Sequence, residues 1–166
     1  IRLTVDNAQP SCPDSATIHA YVSNSTADPI SGAQVIFRVD GATGAYFGAP
    51  GSASTTATTG ATGEASATLS YTGLARAITV SVTSQINCPA ASPPTVTLVS
   101  AIGVDFVPGL PAAVRLSGAP HSLAHSGVAG YVPRATCDGG AIEYAFQAQA
   151  LDACGNPVNI PAGYTP

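Results

Sequence analysis

"ATIHAYVSNSTADPISGAQVIFRVD", Ala16 to Asp40, holds two alternating runs separated by a turn-rich break. In the first run Ile18, Ala20 and Val22 share one face and Thr17, His19 and Tyr21 the other, the period of two of a half-buried strand. "NSTADPISG" then interrupts with Asn, Asp, Pro and Gly, which favour turns through local side-chain bonds, a fixed φ or freedom at positive φ. Beyond the break Val35, Phe37 and Val39 alternate again. Neither run has the 3.6-residue spacing of an amphipathic helix, so both read as strands of an all-β fold.

The same period extends outward in both directions. "IRLTV", Ile1 to Val5, reads as a first strand that stops at the turn chemistry of "DNAQPSCPDS". "EASATLSYTG" aligns Ala65, Ala67, Leu69 and Tyr71, and "AITVSVTS" aligns Ile78, Val80 and Val82. The link "TGLAR" between those runs has the length of a hairpin connection. "GATGAYFGAPGSASTTATTGATG" reads as loop mixed with short, weak strands, and a Pro-rich break from Asn87 to Pro94 leads into "TVTLVSAIGVDFV", one or two strands more.

"PGLPA" marks a seam, and the pattern restarts after it. "AVRLSG" repeats the pattern of "IRLTVD", and "IEYAFQAQALDACGNPV" that of "ATIHAYVSNSTADPI". A slide of 128 positions puts Phe146 on Ile18, Ala148 on Ala20, Ala150 on Val22, Pro157 on Pro29 and Val158 on Ile30 without a gap. Residues 1–106 are therefore expected to form one complete β unit and 107–166 the start of a second. The inward face of Tyr144 or Phe146, Ala148 and Ala150 would lack an opposing sheet. The missing strands would come from chain beyond Pro166, from a neighbouring molecule, or from packing of the tail on the first unit.

Composition narrows the function. Of 166 residues only 8% are charged, the basic residues are all Arg, and the net charge is -4. Nucleic acid is not an expected partner, because phosphate binding needs clustered cations. No apolar run approaches the ~20 residues of a membrane span, so no membrane insertion is expected within this chain. Four cysteines in so sparsely charged a chain point to an oxidising compartment and to secretion. An intramolecular isopeptide cross-link needs a Lys, and the chain has none.

"ATIHAYVSNSTADPISGAQVIFRVDGATGAYFG" followed by "STTATTGATGEASATLSYTGLARAITVSVTS" resembles the bacterial immunoglobulin-like domain of the invasin and intimin type. That family shows a turn of the form D-x-x-G-N-P-V-x-G, a strand ending in apolar-x-F, a Thr-rich segment, T-x-x-G-x-A-x-A-x-L and a last strand of alternating Val. "LDACGNPV" matches the turn more closely than the first copy, where Asp28 and Pro29 lack the preceding Gly and Asn. The resemblance implies an immunoglobulin-like β-sandwich of about seven strands followed by an incomplete second β unit. It also implies a stalk of repeated sandwiches on a bacterial surface, an analogy at the level of fold.

In such a sandwich the start of the second strand and the end of the last lie at one pole, which makes Cys12 and Cys88 the expected disulfide pair. Cys137 precedes the second strand of the repeat and Cys154 follows it. About 30 Å of straight strand would then separate these two, which disfavours their pairing and leaves their partners open. No CxxC pair is present, so neither a metal site nor a cofactor is expected. His121 and His125 have metal-like spacing, but Pro120, Ser122 and Gly127 argue for an ordinary loop. Asp105 and Asp152 at the seam are the pair to consider for calcium.

No catalytic residues are expected. There is no G-x-S-x-G elbow, and Glu64 and Glu143 are too sparse for an acid and base pair. Asn24 in "NST" is a candidate glycosylation site if the host glycosylates. The expected role is structural or adhesive: an extracellular or cell-surface spacer without catalysis, in contact with other copies of itself, neighbouring immunoglobulin-like domains or a surface receptor on a host. Two alternatives stand beside it. One is a subunit of an extracellular filament built by strand exchange, and the other is an accessory immunoglobulin-like or carbohydrate-binding module of a secreted hydrolase.

Overall fold

The structure, a computed structural model, describes residues 1–87, 95–117 and 147–159. Its strands in chain order are β1 (Arg2–Val5), β2 (Ser15–Tyr21), β3 (Gln34–Arg38), β4 (Tyr46–Phe47), β5 (Ser54–Thr58), β6 (Glu64–Ser70), β7 (Arg76–Asn87), β8 (Thr95–Phe106), β9 (Ala113–Ser117) and β10 (Gln147–Leu151). One antiparallel sheet runs β1-β2-β6-β4 and a second β5-β3-β7-β8. The fold is all-β, as expected, and its first unit is a sandwich of these two sheets.

Period-two alternation places the core between the sheets. Ile18, Ala20, Val22, Ala65, Ala67 and Leu69 enter it from the first sheet, and Val35, Phe37, Val39, Ile78, Val80 and Val82 from the second. These are the residues whose phase marks them as inward. Phe37 meets Phe47 with ring centroids 6.3 Å apart, so the two-residue β4 closes the core over the Gly- and Ser-rich stretch.

Two local readings change. Residues 71–75 do not close a hairpin, because β6 and β7 lie in different sheets. Both strands carry an apolar face that must reach the same core, and an arch between sheets buries both where a hairpin would leave them side by side. Tyr71 fixes the arch: its hydroxyl donates to the Leu74 carbonyl at 2.9 Å, while its ring meets Phe106 edge-on at 5.3 Å. The Thr-rich stretch, in turn, contains the full strand β5, and buried Thr59 follows it. The Thr59 hydroxyl accepts from Ala33 N–H and donates to the Ile30 carbonyl, satisfying two backbone groups where the chain enters β3.

Gly63 is required by its surroundings. Its φ is +73°, and a Cβ there would lie 2.5 Å from the Val22 carbonyl oxygen and 3.2 Å from Ile30 N. Both neighbours are backbone, so neither can turn away. Gly63→Ala is expected to cost about 3 kcal/mol, combining left-handed strain with displacement of the turn after β2. Urea denaturation measures this, and a loss below about 1 kcal/mol would show that the turn yields freely.

Beyond the sandwich, β9 and β10 form a separate antiparallel ladder. Its register repeats that of β1 and β2: Arg2 faces Tyr21 and Leu3 faces Ala20, as Arg115 faces Gln149 and Leu116 faces Ala148. Ala150 is buried, whereas Val114 and Leu116 are exposed. Tyr144 and Phe146 lie outside the described residues.

Candidate functional site

Strand directions give the sandwich two distinct poles. At the tail pole Ser15 pairs with Ser70 and Arg76 with Phe106, and Ser11 bridges Val107. At the head pole lie Tyr21, Glu64 and the turn that follows β2. The site with the richest chemistry among the described residues is the joint where the tail pole meets the turn after β10.

Cys12 is buried in the loop before β2, and it is bonded to Cys154 with Cα atoms 6.1 Å apart. This corrects the expected Cys12–Cys88 pair. The last strand of the sandwich is β8, and its end at Phe106 does reach Cys12, whose N–H donates to the Val107 carbonyl. Asn87, the residue before Cys88 in the sequence, closes the twelve-residue β7 at the end away from the tail pole, about 36 Å of strand from Arg76. Cys88 and Cys137 themselves lie outside the described residues.

Beside the disulfide, Asp152 is only 2% exposed and Asn156 3%. Asp152 Oδ1 accepts from the N–H groups of Cys154 and Asn156, and Oδ2 from Asn156 Nδ2 and from Gly109 N–H of the connector. Asn156 Oδ1 in turn accepts from Ala75 N–H in the Tyr71-braced arch. Gly109 is needed here, since a Cβ on it would overlap the Cys12 carbonyl oxygen. Two side chains of the second ladder thus satisfy backbone donors at the tail of the first unit.

Cys12, Asp152 and Cys154 are also the group of metal-ligating side chains that the described residues bring together, within 4.8 Å. Joined as a disulfide, the cysteines offer no thiolate, and four N–H donors around Asp152 supply the positive polarity that a cation would otherwise provide. The calcium idea for Asp152 is therefore replaced by a hydrogen-bonded turn.

That turn has a copy in the first unit, at the 128-residue offset. Asn24 Oδ1 accepts from Thr26 and Asp28 N–H, and Asn24 Nδ2 donates to Asp28 Oδ2, as Asp152 and Asn156 do with the amide and the carboxylate exchanged. Backbone bonds Asn24 N–H to Asp28 O, Ala27 N–H to Asn24 O and Ile30 N–H to Val22 O recur as Asp152 to Asn156, Gly155 to Asp152 and Val158 to Ala150. Ala27 takes the positive φ that Gly155 takes in the second copy. The turn is repeated at the level of individual hydrogen bonds. Compared with protein-family models, curated proteins and solved structures, the chain has no match.

The remaining candidates lie elsewhere. His19 Nδ1 and Glu64 Oε1 meet at 2.6 Å on the outer face of the first sheet, a hydrogen bond that ties β2 to β6. His121, His125 and Glu143 lie outside the described residues. Asn24 is exposed, and its Nδ2, where a glycan would attach, is engaged with Asp28. No helix among the described residues is long and apolar enough to cross a membrane.

The joint is sensitive to acid. Burial raises the Asp152 carboxyl, but the bonds from Gly109, Asn156 and Cys154 outweigh it and hold the group below its ordinary 3.8. With the folded value below the unfolded one, the stabilisation is complete above about pH 4 and is lost as pH falls through the lower folded value. Asp152→Asn should therefore destabilise the protein at pH 7, with the difference from the parent shrinking in acid. Thermal scans from pH 7 to 2 check this, and a difference that does not change with pH would contradict it.

Proposed function

We infer that the chain is a structural spacer: an immunoglobulin-like sandwich joined end to end with the start of a second, working outside the cell or on its surface as part of a stalk or adhesin. The observation that carries this reading is the joint, in which a disulfide and hydrogen bonds from Asp152 and Asn156 fix the second ladder on the tail pole. A fixed junction between units is what a spacer needs and what a catalyst does not. The strand orders support the immunoglobulin-like part. A constant-type domain runs A-B-E-D and C-F-G, matched here by β1-β2-β6-β4 and β3-β7-β8, with β5 added beside β3. The disulfide fits a non-reducing environment.

Peptide mapping without reduction, combined with small-angle scattering, tests the reading. The oxidised protein is expected to carry Cys12–Cys154 and to scatter as a stiff elongated particle that becomes flexible on reduction. Unlinked Cys12 and Cys154 in protein recovered from an oxidising compartment would overturn it.

A second reading, the strand-exchange filament, draws on exposed Val114 and Leu116 on a two-stranded ladder, an apolar surface suited to strands from a neighbour. Electron microscopy separates the two: regular filaments with one chain per repeat favour exchange, and dispersed rods favour the spacer.

A further inference from the structure

The two copies of the turn stand in opposite surroundings. Asp152 and Asn156 are buried against the tail pole of the unit ahead of them, whereas residues Ser23 to Pro29 are all exposed. We propose that the Asn24–Asp28 turn is a docking surface for the tail pole of another unit of this fold placed ahead of it. Asp28 Oδ1 would accept the arch N–H that Ala75 gives to Asn156 in the observed joint. The proposal rests on the spacer reading and adds its contact residues.

The chemistry of the turn fits that occupant. Asp28 Oδ2 accepts from Asn24 Nδ2 and Thr26 Oγ1, and Oδ1 has no partner among the described residues. The oxygen stands where Asn156 Oδ1 stands, and a backbone N–H of an incoming arch is its natural donor. A concavity lies beside the turn, lined by Arg2, Tyr21, Ala27, Pro29 and Thr62. Contact of head on tail is heterologous, so each added unit offers the next the same surface.

Two substitutions set this joint apart. Thr26 occupies the position of Cys154, so the contact is not covalent. The acid and amide are exchanged, so Asn24 Nδ2 stands where Asp152 Oδ2 accepts from Gly109. A unit that suits this turn best therefore presents a carbonyl, not an N–H, at the position of Gly109.

The test places a copy of residues 1–113 in frame ahead of the full chain, since Arg115 takes the register of Arg2. Thr26→Cys is introduced in the full chain only. Oxidation is expected to link this residue to Cys12 of the leading copy, with a several-fold higher yield when Asn24→Asp and Asp28→Asn restore the pattern of the second turn. If both thiols stay open to alkylation even with that exchange, the proposal is overturned. If the full chain's own Cys12–Cys154 bond is missing, the spacer reading fails with it; if that bond is present, this inference fails alone.

A second measurement avoids the new cysteine. With Thr26 retained, the amide of Ala75 in the leading copy should exchange about tenfold more slowly than in the same copy ahead of an Asp28→Ala chain. The other Ala75, bonded to Asn156, serves as an internal reference. Equal exchange with and without Asp28 overturns the proposal. So does disulfide dimerisation of the Thr26→Cys chain through that position without a leading copy, which would assign the turn to side-by-side contact.

Discussion

Replacing Cys12 and Cys154 together by serine lowers stability by about 4 kcal/mol and the melting temperature by about 10 °C. The bond spans 142 positions, which encloses every strand of the sandwich except β1. On the chain-entropy account, a ring of that size removes about 5 kcal/mol of conformational freedom from the unfolded chain. Thermal scans of the oxidised parent and the double variant give the difference directly. An unchanged midpoint would mean that the ring does not form. A Cys154→Ser variant much milder than the double variant would mean that Cys12 finds another partner.

Phe37→Ala costs about 4 kcal/mol. Phe37 is fully buried in β3, flanked in the core by Val35 and Val39 and packed near the ring of Phe47. Its removal leaves a cavity between two hydrogen-bonded sheets that cannot close without breaking ladders to β5 or β7. The urea midpoint should fall with little change in slope, as Phe37→Leu loses far less. A cost under 1 kcal/mol would show that the two sheets do not pack over this residue.

The core was legible because it depends on one periodicity. Ile18, Leu69 and Val80 alternate with Ser, Thr and His neighbours, and a pleated strand has only two faces on which to place them. The link between β6 and β7 was not legible, because its length suits a hairpin and an arch equally and only the shared core decides between them. The disulfide was missed through the same limit. The resemblance puts Cys12 beside the end of the last strand, and that strand is β8, ending at Phe106, whereas β7, which Cys88 follows in the sequence, runs away from that pole. The 128-residue repeat already set Cys154 on the turn after a second strand, so the position was visible. That such a turn presses on the preceding unit was not. Thr59 left no signal, since one hydroxyl among many in "STTATTGAT" has no periodicity to betray it.

The covalent ring has a mechanical side. Tension drawn along the backbone enters through β1, reaches Cys12 and crosses to Cys154, leaving β2 to β8 outside the load path. A chain stretched from both sides can lengthen only by the residues outside the ring, so that β1 can peel from β2 while the ladders among β2 to β8 stay closed. In a reducing medium the same pull runs through the connector into β8, the edge of its sheet, and peels the sandwich one pair of hydrogen bonds at a time.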